Sequence, residues 1–200
     1  QIQLLSMNLQ NKTWDKSVFI PKRTFKSEDV CLYTDPQGLS FAFLVGEEGI
    51  GEQWLVANHE KALEQPKLVR RLSFPPASSV CKVNDATAEL FINEANVGVW
   101  AYPAYSEADM VRQVVDLVEP FGSIKGTPSA IAIVDDQVAV LDEEKPLLYR
   151  YQKQDKHWNG LAPLVLDTVK EAESLSIRGN ASDKALLILD DKTAKTTELE

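Results

Sequence analysis

The feature that most constrains this chain is a repeat of about 48 residues. Four apolar runs end in acids: Phe43-Leu44-Val45-Gly46-Glu47, Phe91-Ile92-Asn93-Glu94, Ala139-Val140-Leu141-Asp142-Glu143 and Leu187-Ile188-Leu189-Asp190-Asp191. Aligned on Glu47, Glu94, Glu143 and Asp191, they recur at intervals of 47, 49 and 48 residues. A second strand-like run precedes each, beginning at Glu28, Ser78, Pro128 and Glu173, at intervals of 50, 50 and 45. Two independent landmarks with nearly one period define a structural repeat. The links between strands hold turn formers: Asp35-Pro36-Gln37-Gly38, Asn84-Asp85, Asp135-Asp136 and Gly179-Asn180.

Each unit reads as four short strands, which in the second are Leu68–Phe74, Ser79–Val83, Glu89–Asn93 and Val97–Tyr102. Four antiparallel strands repeated at this interval are the pattern of a β-propeller blade, whereas a sandwich needs no such regular spacing. The expected fold class is therefore all-β, a propeller of four-stranded antiparallel blades. It has four recognisable repeats plus an N-terminal strand, within one domain over residues 1–200. Ile2–Asn8 reads as a fourth strand without its first three, completing the last blade of a closed ring or following an upstream blade. Lys192–Glu200 reads as a weak fourth strand at the other end. Between units, Asn58–Leu63 and Ser106–Val111 read as short helical turns, with Ser106 and Asp109 resembling a capping box. Val114–Val118 reads as a strand.

Composition narrows the function classes. A net charge of −9 argues against nucleic acid, whose phosphates call for a basic footprint. No apolar run approaches the ~20 residues of a membrane helix. Gln1 opens directly in a strand-like run, as in a chain that has lost its leader or a fragment of a longer one. Cys31 and Cys81 stand 50 residues apart at equivalent repeat positions and read as small buried side chains rather than a disulfide.

In a four-stranded blade, the end of one acid-tipped run lies on the same face as the start of the strand before it. Glu47, Glu94, Glu143 and Asp190/Asp191 should thus gather with Glu28 and Glu173 around one rim. Two such charges ~6 Å apart repel by roughly 3 kcal/mol at an effective dielectric of ~20. Calcium, which takes six to eight oxygens in flexible geometry, would relieve that repulsion. The alternative is that these acids solubilise turns and blunt strand edges.

Other chemistry finds less support. His59 and His157 have no zinc-ligand neighbours and read as surface or capping residues. No Gly-x-Ser-x-Gly elbow occurs. Gly46-Glu47-Glu48-Gly49-Ile50-Gly51 is followed by the strand-like Gln53–Val56 rather than a helix, so it reads as a hairpin turn and not a phosphate loop. Trp14, Trp54, Trp100 and Trp158 read as packing between blades. Asn11-Lys12-Thr13 and Asn180-Ala181-Ser182 match the glycosylation pattern.

Leu90-Phe91-Ile92-Asn93-Glu94-Ala95-Asn96-Val97-Gly98-Val99-Trp100 resembles the segment of β-propeller phytases that reads roughly Leu-Tyr-Ile-x-Glu-Glu-Asp-x-x-Ile-Trp. Glu28-Asp29-Val30-Cys31-Leu32-Tyr33 resembles that family's Glu-Gly-Leu-x-x-Tyr signature. The resemblance implies a secreted or periplasmic, calcium-dependent phosphomonoesterase acting on myo-inositol hexakisphosphate, in which calcium neutralises phosphates and activates water. Carried over, the calcium ligands would be Glu28, Glu47, Glu94, Asp142, Glu143 and Glu173, with Arg70 and Lys82 as phosphate contacts. Ala95 stands in place of the family's second glutamate, Ser78 or Ser79 replaces a signature glutamate, and Pro128 replaces the next. These departures support an alternative, a non-catalytic accessory module that binds a phosphorylated ligand or a partner domain, such as a second phytase domain in the same chain.

Overall fold

The structure, a computed structural model, describes residues 2–8, 10–59, 61–166, 172–180, 183–190 and 193–198; at 15–17, 172–173, 178–180, 183–186, 190 and 193–198 it describes the backbone alone. The fold is all-β, a row of antiparallel sheets in chain order. A hairpin of β1 (Ile2–Asn8) and β2 (Thr13–Ile20) comes first. The first full sheet contains β3 (Ser27–Thr34), β4 (Leu39–Gly46), β5 (Ile50–Asn58) and β6 (Lys61–Ser73). The second contains β7 (Cys81–Asn84), β8 (Glu89–Glu94), β9 (Gly98–Pro103) and β10 (Gln113–Leu117). The third contains β11 (Pro128–Val134), β12 (Gln137–Asp142), β13 (Leu147–Gln154) and an outer edge split into β14 (His157–Gly160) and β15 (Leu164–Val165). The fourth contains β16 (Ala172–Asn180), β17 (Asp183–Asp190) and β18 (Thr193–Glu198).

The acid-tipped runs end the second strands β4, β8, β12 and β17, and the first three of these are mostly apolar because they are buried on both faces between neighbouring sheets. Phe41, Phe43 and Val45 pack toward the second sheet, while Ala42 and Leu44 pack under the hairpin. In β8, Leu90 and Ile92 face the first sheet and Phe91 the third. In β12, Val138 and Val140 face the second sheet, and Ala139 and Leu141 the fourth. Period-two alternation therefore fills four apolar layers between five sheets, and the turn formers close the hairpins β3–β4, β7–β8 and β11–β12 where expected, whereas Gly179 and Asn180 are still paired within β16. First strands touch first strands along the row, β3 on β7, β7 on β11 and β11 on β16, so they form its inner edge.

Several expectations are corrected. The runs beginning near Glu28, Ser78, Pro128 and Glu173 open their sheets instead of standing second, and Leu68–Phe74 falls largely in β6, the fourth strand of the preceding sheet. Ile2–Asn8 pairs with the strand after it, and the tail supplies a third strand rather than a fourth. Asn58–Leu63 is no helical turn: β5 and β6 pair from Asn58↔Lys61 onward, with Glu60 outside the described residues. Ser106–Val111 is irregular, so no helix uses the capping box. Gln113–Leu117 does form a strand. Gly46–Gly51 is a hairpin turn carrying the short 3₁₀ segment Glu47–Gly49. Gly49 has φ +77°, and an added Cβ would meet the Phe74 carbonyl oxygen at 2.2 Å, so glycine is required there.

Cys31 and Cys81 form a disulfide, contrary to their reading as separate small side chains. They sit on β3 and β7, with Cα atoms 5.9 Å apart across the inner edge. Equivalent positions in neighbouring repeats become spatial neighbours when first strands line up, which spacing along the chain does not reveal.

Candidate functional site

The inner edges of β3, β7, β11 and β16 line a cavity of about 830 Å³. Register places the starts of first strands beside the ends of second strands, as in Ser27↔Gly46, Pro128↔Asp142 and Ala172↔Asp190. In each of these three sheets one residue bulges just inside the start, and Glu28, Ser129 and Glu173 are the positions skipped by the register. Side-chain bonds join the same ends of neighbouring sheets. Cys81 N–H donates to Asp29 Oδ2 at 2.8 Å, and Asn93 Nδ2 donates to the Pro128 carbonyl at 2.9 Å. Thr127 Oγ1 lies 3.0 Å from both Asn96 Oδ1 and Glu144 Oε1. These contacts put the acid-tipped ends of the first three sheets at a common rim.

Along that rim the carboxylates are held separately. Glu28 accepts from Lys26 Nζ at 2.8 Å, and Glu47 accepts the Lys26 backbone N–H at 3.2 Å. The hydrogen bond and charge of Glu28, aided by Glu47, raise the Lys26 pKa. An ammonium from the chain itself thus pairs with Glu28, and Glu47 adds to the field around it. Glu94 accepts the Trp100 indole N–H at 2.8 Å, and Arg112 stacks over that indole 4.0 Å from its centroid. Asp142, 1% exposed, receives four donors: Glu144 N–H and Lys145 N–H, each at 3.0 Å, Gly126 N–H at 2.9 Å and the Tyr149 hydroxyl at 3.2 Å. Burial is the main cause that pushes the Tyr149 phenol up to about 12. Glu143 points into solvent and contributes its backbone N–H to the Thr127 carbonyl. The Glu173 side chain lies outside the described residues.

Among the described residues, no three Asp, Glu, His or Cys side chains converge as a metal-ligand set. Asp142 has no oxygen free of a donor, and Glu94 is oriented by an indole. This donor set does not fit the calcium site that the resemblance implies.

The two predicted phosphate contacts part company. Arg70 lies on the outer strand β6 and is tied into the fold: its Nε donates to Gln53 Oε1 at 2.6 Å, and its terminal nitrogens donate to the carbonyls of Ala108 at 2.6 Å and Pro103 at 3.2 Å. Gln53, fully buried, also donates to the Ala104 carbonyl, so the pair clasps the first sheet to the loop after β9. Burial lowers the Arg70 pKa, as for a structural cation. Lys82 does line the cavity, but Glu28, Asp29 and Asp85 line it too. The Asp85 carboxyl pKa is raised by desolvation, opposed by the Thr34 backbone and by Lys82.

The tryptophans divide as well. Trp54 and Trp100 are buried between sheets, and Trp158 packs edge-on to Phe91 at 5.3 Å. Trp14 is 63% exposed and packs between nothing. Sequence reasoning missed Lys26, Asp29, Asn93 and Gln53. Asn93 left the clearest signal, a polar residue inside a run otherwise read as core; it is 1% exposed, and its Oδ1 accepts the Ser79 and Val80 N–H groups.

No protein-family model matches the sequence, and no curated protein sequence matches it. Among solved structures, the chain is similar to the β-propeller domain of Cps50 (Swd1) from Myceliophteria thermophila. The TM-score is 0.56 at 11% identity, over 85% of this chain and 50% of that one. The likeness is one of fold, and this chain spans about half the length of the domain it matches.

Proposed function

We propose that this chain is a β-propeller module of phytase-like design in which binding stands in place of hydrolysis. Its sheets act as blades of an open ring, with the β1–β2 hairpin as the outer half of a further blade. The carrying observation is the fate of the acids: Glu28, Glu47, Glu94 and Asp142 each accept a hydrogen bond from the protein itself. At Asp142 both oxygens are already taken, so a calcium ion there would have to displace four donors and unmake a buried turn.

The lining of the channel favours a protein partner over a polyanion. Among its described residues three acids face one lysine, so a bare inositol phosphate meets net negative charge. We place the module in a secreted or periplasmic setting, supported by the buried Cys31–Cys81 disulfide, since such bonds persist in oxidising compartments. The test is phosphate release from inositol hexakisphosphate with and without calcium. Release at the level of a blank in both conditions is expected. Calcium-dependent release would sink this reading and restore a hydrolase.

A further inference from the structure

We propose that the turns closing β3–β4 and β7–β8 form a receptor for one basic side chain of a protein partner, a lysine or arginine held by Asp35 and Asp85 against Tyr105. The inference rests on the reading of this chain as a binding module and names the chemistry its partner presents.

The two carboxylates come together for the reason that joins Cys31 to Cys81. Asp35 and Asp85 stand 50 residues apart, each four positions after a cysteine of the disulfide. First strands touch first strands, so the turns that end them are neighbours as well. Asp85 reaches β3 and accepts the Thr34 backbone N–H, one residue before Asp35. Asp35 is fixed by its own turn, where Oδ1 accepts the N–H groups of Gln37 at 2.9 Å and Leu39 at 2.8 Å. Among the described residues no donor reaches Asp35 Oδ2, and neither carboxylate has an ion pair. Lys82 acts on Asp85 through its charge alone.

The aromatic wall is an independent observation that calls for a ligand. Tyr33 is 1% exposed, and its hydroxyl has no hydrogen-bond partner in the protein. A buried hydroxyl without a partner is costly, and a donor bound beside it offsets that cost. Burial holds the Tyr33 phenol up to about 12, and Tyr105, Asp35 and Asp85 add to the shift, so its oxygen lies in the field of both carboxylates. Tyr105 packs edge-on to Tyr33, with ring centroids 6.4 Å apart, and remains 49% exposed.

This chemistry selects an organic cation. Two carboxylates attract positive charge, an open tyrosine ring adds cation–π attraction, and the Tyr33 oxygen can accept an N–H. A bare divalent ion is a poorer match, because no three Asp, Glu, His or Cys side chains converge among the described residues. The surroundings suit a polypeptide. Asp85 also lines the 830 Å³ channel, and Tyr105 lines a second cavity of about 440 Å³ with Ala88, Pro103 and the 67% exposed Val111. Residues flanking the basic side chain thus have apolar ground to settle on.

The experiment is a titration of the 200-residue chain with a blocked glycyl-arginyl-glycine peptide, followed by amide chemical shifts. One control is the citrulline peptide, which keeps the shape without the charge; another is methylguanidinium, which keeps the charge without the peptide. Shifts are expected at Thr34, Asp35, Asp85 and Tyr105, with the arginine peptide binding about tenfold more tightly than either control. Asp35→Asn and Asp85→Asn keep the oxygens that accept backbone N–H groups, so the far-ultraviolet spectrum should not change while binding weakens about tenfold in each. Tyr105→Ala should weaken it about threefold. Glu143→Gln removes the same charge at the opposite rim and should leave the affinity unaltered. Equal binding of the arginine and citrulline peptides would overturn the proposal, as would a loss in Glu143→Gln matching that in Asp35→Asn. Methylguanidinium binding as tightly as the peptide would replace the protein partner with a small cation, and displacement of the peptide by millimolar calcium would replace it with a metal; either result sinks the proposal. The readout is binding at the turns, so its failure leaves the phosphate-release result untouched.

Discussion

Breaking the Cys31–Cys81 bond tests how the first two sheets are joined. The bond spans 50 residues of sequence. In the chain-entropy model, closing a loop of that length removes enough freedom from the unfolded chain to contribute about 4 kcal/mol at 25 °C. Both cysteines are buried, at 7% and 5% exposure, and reduced thiols pack there as small apolar groups. Reduction therefore isolates the cross-link from any cavity. For a domain of this size, about 4 kcal/mol corresponds to a fall in Tm of roughly 8–16 °C. The assay is thermal unfolding by far-ultraviolet circular dichroism, with and without a phosphine reductant, alongside Cys31→Ala and the Cys31→Ala, Cys81→Ala pair. Once one partner is gone the cross-link is gone, so the second substitution adds only its own packing loss of about 1 kcal/mol. Two free thiols in the native, unreduced protein, or a Tm that reduction moves by less than about 2 °C, would refute the reasoning.

Arg70→Ala strands the fully buried Gln53 oxygen and two carbonyls, and should cost about 3 kcal/mol in urea unfolding; Arg70→Lys rescues it only in part because an ammonium lacks the guanidinium fork. A phosphate-binding Arg70 would instead change ligand affinity and leave stability alone. Asp142→Ala should lose about 3 kcal/mol by freeing four donors, whereas Asp142→Asn keeps one accepting oxygen and should lose about half that. Millimolar calcium should leave the Tm of the parent chain unchanged in the same assay. Asp85 carries a raised pKa in the fold, so the folded state holds its proton more tightly than the unfolded state. That contribution is present below the ordinary value of 3.8 and is lost as pH rises through the folded value. Asp85→Asn should therefore raise Tm at pH 7 and have less effect near pH 3.5, as melts at the two pH values will show. Tyr33 is held up to about 12, chiefly by burial, so stability should fall as pH rises from 10 toward 12. Tyr33→Phe should flatten that decline.

The sequence by itself determined the period, the all-β class and the apolar character of the acid-tipped runs. Those properties are local: alternation and turn residues act over a few positions, and a strand buried on both faces must be apolar throughout. The common rim was legible for the same reason, because antiparallel pairing sets the end of one strand beside the start of the previous one. Only tertiary structure decided where one sheet stops and the next begins. A repeat specifies an interval but not a phase, and Leu68–Phe74 had no local reason to close one sheet rather than open another. It also decided the partners of the acids. Lys26, Trp100 and Tyr149 reach Glu28, Glu94 and Asp142 through turns and cross-strand packing, and a carboxylate's chemistry depends on which donor arrives first. The same holds for Cys31 and Cys81, which became a bond because inner strands of successive sheets lie side by side.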